Sequence, residues 1–113
     1  MNTNMLANQL KAFSEPVRLR ILYLLLEKDE ICVCDLVIAL NLSQSVVSRH
    51  LAYLKNNHLI ESKRVGTWMH YRIKTSQLDM VNQLLEGFLV YGRASDELKQ
   101  DLLNLNDTSN TCV

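Results

Sequence analysis

The chain is poor in residues that interrupt or cross-link a backbone, with three glycines, one proline and three cysteines in 113 residues. So few breakers predict a mostly helical chain with few elaborate loops. An odd number of cysteines does not suggest a disulfide framework, and a cytosolic chain would keep them reduced. Long apolar runs are also missing. The stretch Leu22 to Leu26 is short and flanked by Arg18, Arg20, Glu27 and Lys28, so no membrane span is expected. Met1-Asn2-Thr3-Asn4 carries no basic segment before an apolar core, so no secretory signal is expected and the cytoplasm is the expected location. There is no Gly-rich phosphate loop, no H-E-x-x-H and no G-x-S-x-G, and nothing sets a cysteine against a histidine as a catalytic pair, so the chain reads as no enzyme. Net charge is absent as well: twelve basic side chains cancel twelve acidic ones, a poor prior for nucleic-acid binding.

The distribution of that charge reverses the prior. Between Ser43 and Lys74 the basic residues are Arg49, Lys55, Lys63, Arg64, Arg72 and Lys74, against the single acid Glu61, a formal +5 that leaves −5 for the rest. A concentrated basic face on a neutral body is the footprint of a DNA reader. Within this stretch Ser43 is a good N-cap, and the chain continues without Gly or Pro to about Asn56. Val47, Leu51 and Leu54 recur at helical spacing as the buried stripe, which places Ser45, Ser48, Arg49 and Ala52 on the opposite face. That outer face is short, polar and free of acid, and it suits a major groove. The candidate DNA contacts are Ser43, Gln44, Ser45, Ser48, Arg49 and His50, the last to a phosphate or a neighbouring helix.

Next come Leu59 to Val65 and Trp68 to Ile73, rich in strand formers and joined by Gly66-Thr67 as a tight turn. Met69, Tyr71 and Ile73 alternate with Trp68, His70 and Arg72, the period of a half-buried strand. Lys63, Arg64 and Arg72 line this hairpin as candidate phosphate contacts. A helix-turn-helix followed by a basic hairpin is the layout of a winged helix. The fold class is therefore mainly α with a small β-hairpin, a winged helix-turn-helix.

The other helices follow from their apolar spacing. Leu6, Leu10 and Phe13 mark a first helix, and Ser14 is expected to cap a second with Pro16 in its first turn. Val33, Leu36, Val37 and Leu40 give a short third helix. Ser76 with Asp79 resembles a capping box opening a fifth helix with the stripe Leu78, Val81, Leu85, Phe88 and Leu89. Glu97 to Leu105 reads as a last short helix. One domain is expected over 1–105, with 106–113 as a flexible tail. The first and fifth helices are apolar yet lie outside the helix-turn-helix. Pairing with a second copy would cover them, so a homodimer through these two helices is expected, with packing on their own core as the alternative.

Cys32 and Cys34 flank Val33 at the start of the third helix. Thiolates are soft ligands that select thiophilic ions. On a regular helix residues two apart point about 200° from one another, so one ion could not hold both, whereas on an extended segment they share a face. Joint coordination thus requires a departure from helix at this point, natively or on binding, and would act as a switch. Two half-buried small residues, or a strained Cys32–Cys34 disulfide, are the competing readings.

The run Glu30-Ile31-Cys32-Val33-Cys34-Asp35-Leu36, then Ser43-Gln44-Ser45-Val46-Val47-Ser48-Arg49-His50-Leu51, then Gly66-Thr67-Trp68-Met69-His70-Tyr71-Arg72, resembles the ArsR/SmtB family of winged-helix metalloregulators, and within it the arsenical-resistance operon repressors. The resemblance covers roughly residues 5 to 90. It implies a homodimer that binds a palindromic double-stranded operator and leaves it when trivalent arsenic or antimony binds cysteines of the third helix. Cys32 and Cys34 match that motif, while its next cysteine is here Val37. Cys112 or a small thiol such as glutathione is then the candidate third ligand. The zinc or cobalt site of the family's fifth helix is not expected, because Asp79 has no histidine partner within residues 76 to 91. The alternatives are a winged-helix regulator sensing another thiophilic metal or a redox signal, and a winged-helix module for protein contacts.

Overall fold

Most helices begin where a side chain can accept from an otherwise free N–H. The computed structural model describes residues 2–76 and 78–108. The elements run α1 (Thr3–Lys11), α2 (Pro16–Glu27), β1 (Ile31–Cys32), α3 (Val33–Leu40), α4 (Gln44–Asn56), β2 (Ile60–Val65), β3 (Trp68–Ile73), α5 (Asp79–Gly92) and α6 (Asp96–Asn106). Asn2, Glu15, Ser43 and Ser95 cap α1, α2, α4 and α6, accepting from Met5, Arg18, Val46 and Leu98 respectively.

Two expected caps differ. Pro16 forces the residue before it out of helix, so extended Glu15 becomes the N-cap of α2, and the Ser14 hydroxyl donates to the Lys11 carbonyl at 2.7 Å. The Ser76 hydroxyl donates to Gln9 Oε1 at 3.0 Å and accepts from the Leu78 N–H at 3.0 Å. It ties the chain to α1 instead of capping α5, whose N-cap is Leu78 without a side-chain bond.

The sheet has three antiparallel strands in the order β1-β3-β2. The hairpin matches the expected one to within a residue, with Gly66 at φ 63 in its turn. β1 is an addition. Two residues are too few for a period-2 pattern, and pairing of Ile31 with Tyr71 and Cys32 with His70 creates it. The expected alternation along β3 is blurred, because most of both faces is partly covered.

The core centres on α2. Ile21, Leu22, Tyr23 and Leu24 are almost fully buried and meet α4, α5, α6 and β3. Arg20 grips α6 through both Asp101 carboxylate oxygens at 2.9 Å, and also donates to the Leu40 carbonyl at 3.0 Å. The last helix is thus fixed to α2 and α3 together. It extends one residue beyond the expected span at each end, and Thr108 is buried with its hydroxyl on the Leu105 carbonyl. Residues 109–113 lie outside the described residues.

On α5 the expected stripe of Leu78, Val81, Leu85, Phe88 and Leu89 packs on the core. A second stripe was not anticipated: Met80, Leu84 and Tyr91, at i, i+4 and i+11, are 50%, 40% and 67% exposed, with exposed Gly87 between them. At the end of α5 a Cβ on Gly92 would collide with the Tyr23 ring, so glycine is required for this close approach. The Tyr23 hydroxyl donates to Glu27 at 2.5 Å, and Arg93 holds the same carboxylate at 3.3 Å. Burial, then the Glu27 carboxylate, pushes the Tyr23 hydroxyl up from 10.0 to about 12. A pKa raised on folding favours the native state fully below the unfolded value and loses that contribution as pH rises from about 10 through about 12. Urea midpoints should therefore fall across that window in the wild type. Tyr23→Phe should flatten the fall, and an identical alkaline slope would contradict this assignment.

Candidate nucleic-acid interface and thiol site

In α4, Val47, Leu51 and Leu54 are completely buried, which fixes the rotation of the helix and turns Gln44, Ser45, Ser48, Arg49 and Ala52 to solvent. The Ser43 hydroxyl bonds the Val46 N–H and lies 3.2 Å from the Ser45 hydroxyl, so the exposed N-terminal turn is held by its own side chains. Arg49 makes no ion pair among the described residues and is free to meet a base edge or a phosphate. His50 differs. Its side chain is 13% exposed with Nδ1 3.7 Å from Glu15 Oε2, so it faces the start of α2 and takes the neighbouring-helix option.

Sequence spacing did not point to Arg18. Its guanidinium lies 4.0 Å from the Tyr53 ring centroid and donates to the Ala12 carbonyl at 3.0 Å, joining the α1–α2 link to α4. An arginine on a helix of mixed charge carries no sequence mark of such a role.

The wing cations are not equivalent. Arg72 pairs with Glu61 at 2.6 Å, its cross-strand partner. Lys63 pairs with Glu30 at 3.2 Å, and His70 contacts the same carboxylate at 3.1 Å. Arg64 makes no ion pair among the described residues and donates only to the Thr67 carbonyl at 3.5 Å. Glu61 was visible as the one acid of the segment, but Glu30 lies outside it, and only the β1–β3 pairing brings it to the wing.

Cys32 and Cys34 straddle a junction. Cys32 ends β1 with extended backbone angles and is the N-cap residue of α3, while Cys34 lies in the first helical turn. Half of the departure from helix that joint coordination requires is therefore native: Cys32 is extended, whereas Cys34 is still helical. Cys32 is a buried free thiol, so the strained Cys32–Cys34 disulfide is not formed. Cys34, expected to be reduced, is instead disulfide-bonded and must be reduced before it can bind a metalloid. Among the described residues no group of three or more His, Cys, Asp or Glu converges to hold a metal ion. The donor chemistry suits a thiophilic ion but supplies two sulfurs. Cys112, the candidate third ligand, lies outside the described residues. No helix among the described residues is long and apolar enough to cross a membrane.

Residues 15–62 match the profile of the bacterial regulatory protein, arsR family. The chain is 46% identical over 63 residues to the arsenical resistance operon repressor of Escherichia coli, covering 56% of this chain and 54% of that protein. It is 35% identical over 95 residues to the arsenic resistance transcriptional regulator ArsR1 of Pseudomonas putida, covering 84% of this chain and 73% of that protein. The match thus spans little more than half of the first relative and about three quarters of the second. Among solved structures, the AntR antimony-specific transcriptional repressor superposes with a TM-score of 0.64 at 29% identity, over 79% of this chain and 78% of that one. A winged helix with an exposed polar recognition helix, matched over its helix-turn-helix and well beyond it, belongs to the arsR family of bacterial regulatory proteins, transcriptional regulators and not enzymes.

Proposed function

We propose that the protein is a metalloid-responsive transcriptional repressor of the cytoplasm. It binds double-stranded operator DNA as a homodimer and leaves it when trivalent arsenic or antimony engages Cys32 and Cys34. The observation that carries this reading is the position of the two cysteines. Cys32 closes β1, which pairs with the wing strand β3, and Cys34 opens α3, which packs on α4. An ion gathering both sulfurs would pull on both DNA-reading elements at once. The E. coli relative is named for arsenical resistance and AntR for antimony, which supports a trivalent metalloid as the inducer. The dimer rests on the exposed Met80, Leu84 and Tyr91 stripe: a helix apolar on both sides needs a second surface to cover it.

DNA is read by Gln44, Ser45, Ser48 and Arg49 on α4, with Arg64 at the wing turn as the freest phosphate ligand. Arg49→Ala should weaken specific operator binding by about 1–3 kcal/mol, the worth of a base-edge contact. Binding to a scrambled duplex should change far less. Gel shifts on DNA upstream of the gene and on the scrambled duplex check this, and equal losses on both would reassign Arg49 to phosphate.

A second reading has its own support in the disulfide at Cys34. The same segment would then sense oxidants, and thiol oxidation would change operator affinity without any metalloid. Comparing oxidised and reduced protein on the same duplex, before arsenite is added, separates the two.

A further inference from the structure

Lys63 and His70 are directly opposed across β2 and β3, and on its other side His70 is paired with Cys32 of β1. Opposed residues of an antiparallel sheet share a face. Ile31 and Tyr71 turn to the core cluster, so Cys32, His70 and Lys63 share the opposite face, on which Cys32 is buried, His70 half-buried and Lys63 exposed. Glu30, immediately before β1, sets its carboxylate against this face. Oε1 is 3.2 Å from Lys63 Nζ and Oε2 is 3.1 Å from His70 Nδ1. Donors from two strands converge on one carboxylate, and 63% of the Lys63 side chain remains exposed. This is an anion site that holds an anion of its own chain. Lys63 foremost, with His70, keeps the Glu30 carboxyl below the usual carboxylate range.

We propose that Lys63 and His70 form a phosphodiester-binding subsite on the wing, and that Glu30 fills this subsite in the free protein as an intramolecular competitor of DNA. The inference rests on the DNA-binding reading of the wing and deepens it. A carboxylate and a phosphodiester present the same chemistry to these donors, a charged oxygen accepting a charge-assisted bond. The carboxylate and a phosphate claim the same ammonium, so while Glu30 holds Lys63 the lysine releases no counterion by meeting the backbone. Glu30 lowers operator affinity by withholding Lys63. It also lies two residues ahead of Cys32, so drawing Cys32 out of register with His70 moves the competitor too.

The test is a double-mutant cycle on Glu30→Gln and Lys63→Gln, with duplex affinity measured against salt. Glutamine keeps the shape of residue 30 but removes the anion. Glu30→Gln should bind tighter than wild type, with a salt slope steeper by about 0.9, one added phosphate contact. Lys63→Gln should cost less than about twofold in the wild-type background. In the Glu30→Gln background it should cost about fivefold at 0.15 M salt, the release of one counterion. Glu30→Asp keeps the charge but shortens its reach, and should fall with Glu30→Gln. Additive effects, or an unchanged slope in both residue-30 variants, would overturn the competition while wild-type binding stands. A wild-type protein that bound no duplex would overturn it together with the reading beneath it.

Discussion

Arsenite should strip the reduced wild-type protein from its operator and leave the Cys32→Ser, Cys34→Ser double variant bound. Moving an operator from nearly all occupied to nearly all free requires the inducer to prefer the released form by about 5.5 kcal/mol. A single thiol cannot supply that preference, whereas two or three metalloid–thiolate bonds closing one site can. The cost on the protein side is small enough to be met. Cys32 is already extended, so gathering both sulfurs disturbs the two-residue β1 ladder and the first turn of α3, not a whole helix. Each single serine variant should still repress and fail to respond. Cys112→Ser should lose part of the response if the third ligand comes from the end of the chain. Because Cys34 is disulfide-bonded in the structure, the titration needs prior reduction. Operator occupancy against arsenite, read by fluorescence anisotropy, decides the matter. Full release of the double variant would remove the site, and no release of the wild type would leave a DNA-binding protein whose inducer lies elsewhere.

Leu84→Glu should convert the protein to a monomer and abolish specific binding to a two-half-site operator. Leu84 lies in the middle of the exposed α5 stripe, between Met80 and Tyr91. In a two-fold interface the substitution occurs twice, each copy burying an uncompensated carboxylate at about 3–5 kcal/mol. A dimer with micromolar affinity has about 8 kcal/mol in total, so two such charges are enough to dissociate it. A monomer reads only one of two half-sites spaced about one helical turn apart, and specific affinity falls accordingly. Leu85 and Phe88 are poorer targets. Leu85 is 4% exposed and Phe88 packs its ring edge-on to Tyr23, so charging either would unfold the monomer and mimic the same loss. Sedimentation with circular dichroism separates the outcomes. A folded Leu84→Glu dimer would place the interface on another surface.

The recognition helix was legible because its two faces differ in kind. Val47, Leu51 and Leu54 sit where a 3.6-residue period demands burial, and the residues between them are short and polar. The hairpin was legible from strand formers around Gly66-Thr67. The caps at Ser14 and Ser76 differ from expectation because other partners, near or distant in the chain, compete for the hydroxyl. Pro16 claims the extended residue before it, and the Ser76 hydroxyl is drawn to buried Gln9, far away in sequence. The α5 stripe was half legible: a helix apolar on both sides reads as one broad stripe until packing shows which side is used.

Sequence alone determined the winged-helix order of elements, the polar face of α4 and the C-x-C pair, because each depends on residues within one or two helical turns. The tertiary structure decided everything that depends on residues distant in the chain. It paired Cys32 with His70, brought Glu30 onto the wing, and left Leu84 outside while burying Leu85. A strand of two residues, a carboxylate more than thirty positions from its lysine and the choice between two apolar faces have no local period. Only the closing of the sheet and the seating of α5 on Tyr23 fix them.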